Sequence, residues 1–174
     1  LYPEHGFDFL KETGVTVYVN IRGREVACKV WLVDKYGNAP LYLLDTDLPQ
    51  NEERWIAGYL YGGYGSRDRV AQEMVLGIGG VRALRALGIE VDVYHFNEGH
   101  AVLAGIELIR EKMATGLSFE AAWEETRNEI VFTTHTPVLA GNESHELDVL
   151  AEAGDFNGLN RDQMARLGGD PFCM

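Results

Sequence analysis

The residues best suited to chemistry in this sequence follow two short apolar runs, at residues 91–96 and 130–134. Asn97, Glu98 and His100 follow the first run, and His135 follows the second. Amide, carboxylate and imidazole groups supply hydrogen-bond donors and acceptors with fixed directions. We therefore expect this group to contain the functional site. The alternative is that the two histidines only cap or hydrogen-bond the neighbouring loops.

The stretch between the two runs predicts how these side chains come together. Both runs are rich in β-branched and aromatic residues and read as strands. Residues 98–114 have the apolar spacing of a helix, and Ser118 is suited to cap another. A strand, a helical crossover and a second strand predict a parallel pair. Ligands of open α/β sheets bind beyond the carboxyl ends of the strands, so the polar residues should lie along one rim.

The remaining elements predict an α/β fold. Near the N-terminus we expect a hairpin, with strands at residues 15–20 and 25–33 and Arg22-Gly23 at its turn, followed by a third strand at residues 40–46. Short helices are expected at residues 52–60, 142–153 and 161–167. We predict a Rossmann-like parallel or mixed sheet with flanking helices. Residues 1–46 form its strand-rich hairpin region, and residues 47–174 form its α/β region.

A long stripe of apolar residues spaced three or four apart predicts a further helix; its members are Val70, Met74, Ile78, Val81, Leu84 and Leu87. Ser66 is expected to cap this helix and Gly88 to end it. The stripe runs through Gly77, Gly79 and Gly80, whose spacing imitates a dinucleotide-binding fingerprint. That fingerprint requires a preceding strand, whereas charged residues stand just upstream. We interpret the glycines as points of close packing.

Five histidines raise the question of a metal site, and their spacing argues against one. No two stand four apart on a predicted helix, and the two cysteines lack the paired spacing of zinc sites. His95 alternates with apolar strand residues, which favours a core position. His145 lies in an acidic stretch, which favours the surface. Cys28, in an apolar strand, is expected to be a buried thiol suited to a reducing compartment.

The bulk composition limits the possible partners. The chain has 174 residues, 46% of them hydrophobic, and a formal net charge of −12. This length is enough for one domain with a core. An acidic surface repels nucleic acid and anionic membranes, and no apolar run reaches the roughly 18 residues of a membrane helix. Because the chain begins at Leu1 and stops just after a turn-like segment, we expect it to be a fragment.

Three motifs resemble the bacterial and archaeal branch of the α-glucan (glycogen, starch and maltodextrin) phosphorylases. They are RVAQEMVLGIGGVRAL at residues 69–84, HFNEGHA at 95–101 and FTTHTPVLAGNE at 132–143. YLLDT at 42–46 and GGDPF at 168–172 extend the resemblance over essentially the whole chain. Long motifs in this order and spacing are a specific signal.

The resemblance implies a fold, a reaction and a cofactor. Enzymes of this family have two Rossmann-like domains facing across a cleft, the GT-B arrangement, and carry pyridoxal phosphate on a lysine of the second domain. They transfer the terminal glucosyl unit of an α-1,4-glucan or maltodextrin to inorganic phosphate, giving α-glucose 1-phosphate. By this resemblance the chain is part of the N-terminal domain of such a cytoplasmic enzyme. Fixed polar groups in a dry cleft suit a reaction in which charge develops on the sugar.

The motifs also imply roles for single residues. His135 matches the catalytic-site histidine that meets the terminal glucosyl ring, through its side chain at the 6-hydroxyl and its backbone near the anomeric centre. The glycogen branch has aspartate where Glu98 stands. The substrate-binding residues implied in this way are Asn97, Glu98, His100, Thr134 and Thr136.

The same resemblance implies what the chain lacks. The second domain with its phosphate ligands is absent, and no lysine matches the cofactor motif; the four lysines are Lys11, Lys29, Lys35 and Lys112. We therefore expect no cofactor-binding residue and no metal ligand in this chain. The chain alone should neither hold pyridoxal phosphate nor turn over substrate.

Two other functions stay open at this point. One is a different GT-B transferase, such as a glucan synthase that uses a nucleotide sugar, which would need a nucleotide subsite in the second domain. The other is a glucan-binding module without catalysis, for which exposed aromatic residues are the usual platform. Tyr59, Tyr61 and Tyr64 are the candidates, although such tyrosines are at least as often packing residues.

Overall fold

A three-stranded antiparallel sheet forms the first part of the computed structural model, which describes residues 6–35, 37–58, 65–135, 138 and 143–174. The strands lie in the order β1–β2–β3 and comprise Lys11–Ile21, Arg24–Val33 and Leu41–Asp45. Arg22 and Gly23, between the first two strands, have φ values of 54° and 71°. Two consecutive positive φ angles match a two-residue hairpin turn with the twist of its strands. The predicted hairpin and third strand are confirmed.

One face of this sheet forms part of the core. Val17, Val19 and Ile21 are buried and alternate with exposed residues along β1, as expected of a half-buried strand. Cys28 is buried as predicted. Burial, and to a smaller extent the nearby Asp45 carboxylate, raises the pKa of its thiol to about 12. The thiol is therefore protonated and unreactive at neutral pH.

A long helical segment packs against this sheet. α1 (Ser66–Met74) and α2 (Gly80–Ala86) are joined by a wider π-helical turn at Val75–Gly79. The helix thus runs through the glycines, as the apolar period predicts, and no strand precedes them in the described residues 65–74. The prediction that Ser66 caps the helix is wrong by one residue, because the N-cap is Gly65.

Gly77 lies where this helix meets α3 (Leu103–Ala114). A Cβ atom on Gly77 would lie 2.6 Å from the backbone nitrogen of Ala104 and 2.9 Å from the carbonyl carbon of Leu103. Backbone atoms of a packed helix cannot rotate away as a side chain can. The absence of a side chain at Gly77 therefore permits the close approach of the two helices.

Replacing Gly77 with alanine is expected to lower the free energy of unfolding by about 3 kcal/mol, the upper end of the usual cost of overpacking. Gly80→Ala is the matched control, because a Cβ atom there would meet nothing within 4 Å. Alanine at this helical position should instead stabilise the chain by up to about 1 kcal/mol. Urea unfolding of both variants measures the difference, and a Gly77→Ala variant as stable as Gly80→Ala would contradict the packing argument.

The predicted parallel pair is present. β4 (Tyr94–Asn97) pairs with β5 (Ile130–Thr133), and Asn97 lies opposite Thr133. The crossover between them consists of the short 3-10 turn Gly99–Ala101, then α3, then α4. The carboxyl ends of both strands therefore lie at the same edge, as expected.

α4 (Phe119–Glu129) begins as the sequence predicts. The hydroxyl of Ser118 accepts the backbone N–H of Ala121 at 3.2 Å. Such a side chain satisfies one of the amide groups that have no partner in the first turn of a helix. The cap fixes where α4 starts, and so helps to set the length of the crossover.

The C-terminal part differs in detail from the prediction. β6 (Ser144–His145) pairs antiparallel with β7 (Phe172–Cys173), and α5 (Leu147–Gly154) and α6 (Arg161–Gly168) lie between them. The helix predicted for residues 142–153 therefore begins only at Leu147. The helix predicted at residues 161–167 is confirmed, whereas the one predicted near residues 52–60 is only a 3-10 turn at Arg54–Ala57.

The fold is mixed α/β, as predicted. Within the described ranges the strands form three separate small sheets, of three, two and two strands. A single continuous Rossmann-like sheet is not seen in this part of the chain, because β3 and β4 do not pair. In the same ranges, the helices are too short or too polar to cross a lipid bilayer.

Candidate functional site

The carboxyl ends of β4 and β5 bring four of the predicted site residues together; we call Asn97, Glu98, Thr134 and His135 the β4–β5 rim. The Nε2 atom of His135 lies 2.8 Å from the Oδ1 atom of Asn97. With the amide in this orientation, the imidazole donates from Nε2, and in the neutral ring Nδ1 is then an acceptor. Both side chains are exposed, so the rim is open to a ligand.

Glu98 holds the segment that follows β5. One oxygen of its carboxylate accepts the backbone N–H of His135, and the other accepts the Thr134 hydroxyl at 3.3 Å. The backbone N–H of Glu98 donates to the carbonyl oxygen of Thr133 at 2.8 Å. These contacts fix the backbone on both sides of Thr134 and therefore the direction of the His135 ring.

The backbone of Glu98 is itself strained. Its φ and ψ are 61° and −177°, a region that residues with a side chain rarely occupy and that costs about 1–3 kcal/mol. Such strain persists only where surrounding contacts compensate for it. The hydrogen bonds from Thr134 and His135 to the Glu98 carboxylate are contacts of this kind. The side chain of Glu98 therefore stabilises the unfavourable backbone conformation at its own position.

His95 is a site neighbour that the sequence prediction placed wrongly. It is exposed, and its Nε2 atom lies 2.7 Å from the Thr133 hydroxyl. Tyr94 and Phe96 are buried instead, and alternate residues of a strand point to opposite faces. The alternation along β4 already indicates that His95 is exposed, because its apolar neighbours occupy the core face.

His100 belongs to a second group of residues. Its Nδ1 atom lies 2.6 Å from the Nη2 atom of Arg69 on α1. Because a guanidinium only donates, Nδ1 is the acceptor, and a neutral His100 carries its proton on Nε2. Of the predicted site residues, His100 is therefore held by α1, whereas His135 is held by Asn97 and Glu98.

Arg69 is the centre of this second group, which we call the Arg69 cluster; it comprises Arg69, Glu73, His100, Glu143 and His145. The Nε atom of Arg69 lies 3.2 Å from carboxylate oxygens of both Glu73 and Glu143. His145 Nε2 lies 3.7 Å from an oxygen of each of the same carboxylates. Arg69, Glu73 and Glu143 were not predicted as site residues, although all three stand in the motifs of residues 69–84 and 132–143.

The prediction that His145 lies at the surface is wrong. Its side chain is 2% exposed, as is that of Glu73. β6 pairs His145 with Phe172, and this long-range pairing turns the imidazole inward, a contact that no local pattern indicates. Burial raises the pKa of Glu73, and Glu143 raises it further, while His145 and Arg69 act in the opposite direction.

A cleft of about 800 Å³ separates β3 from β4. Apolar side chains of α1, α2 and the two strands form most of its wall, and His95, His100 and Arg69 supply polar groups. Cavities of this size that combine an apolar wall with a few polar groups are the usual form of ligand sites.

The remaining residues considered in the sequence are Thr136, three tyrosines and the four lysines. Thr136 and the tyrosines at positions 59, 61 and 64 lie outside the described residues. Lys11, Lys29 and Lys112 are ion-paired with Asp34, Glu12 and Glu129, and Lys35 is exposed.

Comparison with known proteins gives clear relatives. The chain is 42% identical over 164 residues to the maltodextrin phosphorylase of Thermococcus litoralis, covering 91% of this chain and 20% of that enzyme. It is 41% identical over 160 residues to the glycogen phosphorylase of Mycobacterium tuberculosis, covering 82% of this chain and 18% of that enzyme. It is also 35% identical over 175 residues to an uncharacterized protein of Methanocaldococcus jannaschii, covering 98% of this chain and 32% of that protein.

These relatives confirm the resemblance found in the motifs. Over most of its length the chain is homologous to a segment of bacterial and archaeal glycogen and maltodextrin phosphorylases, and it spans about a fifth of their length. No protein-family model matches the chain.

Proposed function

We propose that this chain is the sugar-facing part of the N-terminal domain of an α-glucan phosphorylase of the GT-B type. The homology to segments of glycogen and maltodextrin phosphorylases supports this proposal. The observation that carries it is the β4–β5 rim, where Asn97 and Glu98 hold His135 at the carboxyl end of a parallel strand pair. We call the longer protein that the proposal implies the parent enzyme.

In this proposal the rim binds the terminal glucosyl unit. A sugar hydroxyl both donates and accepts, so it needs partners of both kinds at fixed directions. His135 offers Nδ1 as an acceptor to the 6-hydroxyl while Asn97 engages its Nε2–H. Glu98 fixes the peptide group before His135, and so presents the backbone of His135 toward the anomeric centre. The rim then positions the sugar, and positioning accounts for much of enzymatic rate enhancement.

The Arg69 cluster contributes His100 to the cleft between β3 and β4. The Arg69 bond to Nδ1 leaves the Nε2–H of His100 as a donor, and both residues border the cleft together with His95.

The rest of the reaction depends on the missing part of the parent enzyme. We propose that a second domain would hold pyridoxal phosphate, which would supply acid–base chemistry at the substrate phosphate. In this proposal the residues of the chain itself orient the sugar. We propose further that the parent enzyme is cytoplasmic and that its substrates are α-1,4-glucan and inorganic phosphate.

The isolated chain is expected to be inactive, and the parent enzyme active. After incubation with maltodextrin, phosphate and pyridoxal phosphate, the pure chain should form no detectable α-glucose 1-phosphate, because the cofactor has no lysine to bind. The parent enzyme should form it under the same conditions. A coupled assay for glucose 1-phosphate measures both.

Two outcomes would contradict this proposal. Formation of glucose 1-phosphate by the pure chain would show that the second domain and its cofactor are not needed. Use of a nucleoside diphosphate glucose by the parent enzyme, with no reaction on phosphate, would assign it to the synthase type of GT-B transferase.

A further inference from the structure

We propose that Glu73, Glu143 and His145 form a binding site for a divalent transition-metal ion of the Zn²⁺ type. Each residue can offer one ligand atom, and these three atoms lie within 4.8 Å of one another. The ligands come from three places in the chain: α1, the residue before β6, and β6 itself. One imidazole nitrogen and two carboxylate oxygens are a ligand set that zinc accepts, with a further position left for water.

The first support for this site is a set of buried polar atoms without hydrogen-bond partners. Both carboxylate oxygens of Glu73 and both ring nitrogens of His145 are buried and lack a hydrogen bond of good geometry, and Glu73 has Arg69 as an ion-pair partner at 3.2 Å. The two side chains are each 2% exposed. Leaving such groups unsatisfied is costly, and a native protein has few of them. A metal ion would bind one oxygen of Glu73 and Nε2 of His145 together.

The second support is the spacing of the atoms. His145 Nε2 lies 3.7 Å from Oε2 of Glu73 and 3.7 Å from Oε1 of Glu143. Hydrogen bonds between nitrogen and oxygen need about 2.7–3.2 Å, so these pairs are too far apart. Two ligands of one tetrahedral zinc ion, with bonds of about 2.0–2.2 Å, lie about 3.4 Å apart. The gap therefore has the size of an ion between the ligands.

Arg69 leaves one oxygen of Glu73 to the ion, and it donates to both oxygens of Glu143 at 3.2 Å. Its Nε atom approaches Oε1 of Glu73 at 3.2 Å, whereas His145 faces Oε2 of the same carboxylate. The two oxygens of Glu73 thus face different partners. Carboxylates that bind a metal commonly receive a hydrogen bond on the remaining oxygen, and Arg69 is placed to give it.

Charge also favours an additional cation. Arg69 brings one positive charge against the two carboxylates of Glu73 and Glu143, and its Nη2 is engaged by His100. With His145 neutral, as a metal ligand must be, the group has a net charge of −1. Buried carboxylates need a positive partner, and a divalent ion together with Arg69 would give each of the two carboxylates one.

Zn²⁺ titration of the metal-free 174-residue chain by isothermal calorimetry tests this proposal. We expect one ion per chain and a rise in Tm with Zn²⁺. His145→Gln and Glu73→Gln should each weaken binding at least 100-fold. His95→Gln and Glu124→Gln should bind as the unchanged chain does, because both replace exposed residues outside the Arg69 cluster.

Measuring the stability of the metal-free variants distinguishes the loss of a metal ligand from the loss of a structural residue. Without metal, Glu73→Gln should be at least as stable as the unchanged chain, since it removes a buried charge, yet it should lose the rise in Tm with Zn²⁺. If His145→Gln does not fold, Glu143→Gln takes its place in the titration. Absence of saturable Zn²⁺ binding, or binding that these variants do not weaken, would overturn the proposal.

Discussion

Replacing Glu98 with alanine in the parent enzyme is expected to lower kcat/KM about 100-fold. The carboxylate holds the backbone N–H of His135 and the Thr134 hydroxyl. Without it His135 loses one of its two restraints, and a misplacement of about 1 Å at a catalytic group typically costs a factor of this size. Steady-state kinetics with maltodextrin and phosphate measure the effect.

Two further substitutions at position 98 identify the cause. Glu98→Gln keeps an oxygen that accepts from His135, so kcat/KM should stay within about tenfold of the original. Glu98→Gly should unfold less readily than Glu98→Ala, by about 1–3 kcal/mol, because glycine tolerates the φ of 61°. The kcat/KM of Glu98→Gly should nevertheless be as low as that of Glu98→Ala. An alanine variant within threefold of normal activity would remove Glu98 from the positioning of His135.

Replacing Glu107 with alanine is expected to lower the free energy of unfolding by about 3–5 kcal/mol, the usual cost of removing one partner of a buried ion pair. Glu107 is completely buried in α3. Its carboxylate accepts from Arg82 at 2.8 and 3.0 Å, from Arg110 at 2.6 and 2.9 Å and from Asn157 at 2.6 Å. Alanine would remove the carboxylate that both guanidinium groups share, while Arg82 would keep its bonds to the Tyr18 carbonyl oxygen and Oδ1 of Asn157. Urea unfolding measures the loss.

Glu111→Ala is the matched control for this variant. Glu111 is on the same helix and pairs with Arg85 at 2.9 Å, but both side chains are partly exposed. Exposed pairs contribute about 0–1 kcal/mol, so this variant should change stability little. Equal losses in the two variants would show that burial of Glu107 does not decide its contribution.

Acid unfolding provides a second measurement on the same variants. Burial by itself would raise the pKa of Glu107, but hydrogen bonds from Arg110, Arg82 and Asn157 outweigh it and lower the pKa to about 2. A lowered pKa stabilises the fold above about pH 4.5, the ordinary value, and this contribution is lost as the pH falls towards 2. The shift corresponds to about 3 kcal/mol. Glu107→Gln should therefore lose less stability than the unchanged chain between pH 5 and pH 2; identical slopes would contradict the lowered pKa.

Local patterns in the sequence predicted the elements that place the β4–β5 rim. The alternation in β1 and β2, the helical stripe through Gly77 and the cap at Ser118 depend on residues close in sequence, and the structure contains each of these elements. The parallel pairing of β4 and β5 follows from the helical crossover between them. Local propensity and chain connectivity were sufficient for these predictions.

The errors concern contacts between distant residues. His145 is buried because residues 172–173 pair with β6, and no spacing near position 145 indicates that. The Arg69 cluster joins residues up to 74 positions apart, and the Glu107 network joins three separate elements. His95 was a different error, because the alternation that exposes it was visible in the sequence but a histidine flanked by apolar residues was assigned to the core.

The comparison that most directly tests the proposed role of His135 uses glucose 1-phosphate and its 6-deoxy analogue in glucan synthesis by the parent enzyme. A site that bonds a hydroxyl rejects an analogue lacking it, often by factors well above tenfold. The ratio of kcat/KM for the two donors should therefore be large in the original enzyme and fall close to one in His135→Ala. An unchanged ratio in the variant would show that His135 does not contact the 6-hydroxyl, and would contradict the proposed role of the β4–β5 rim.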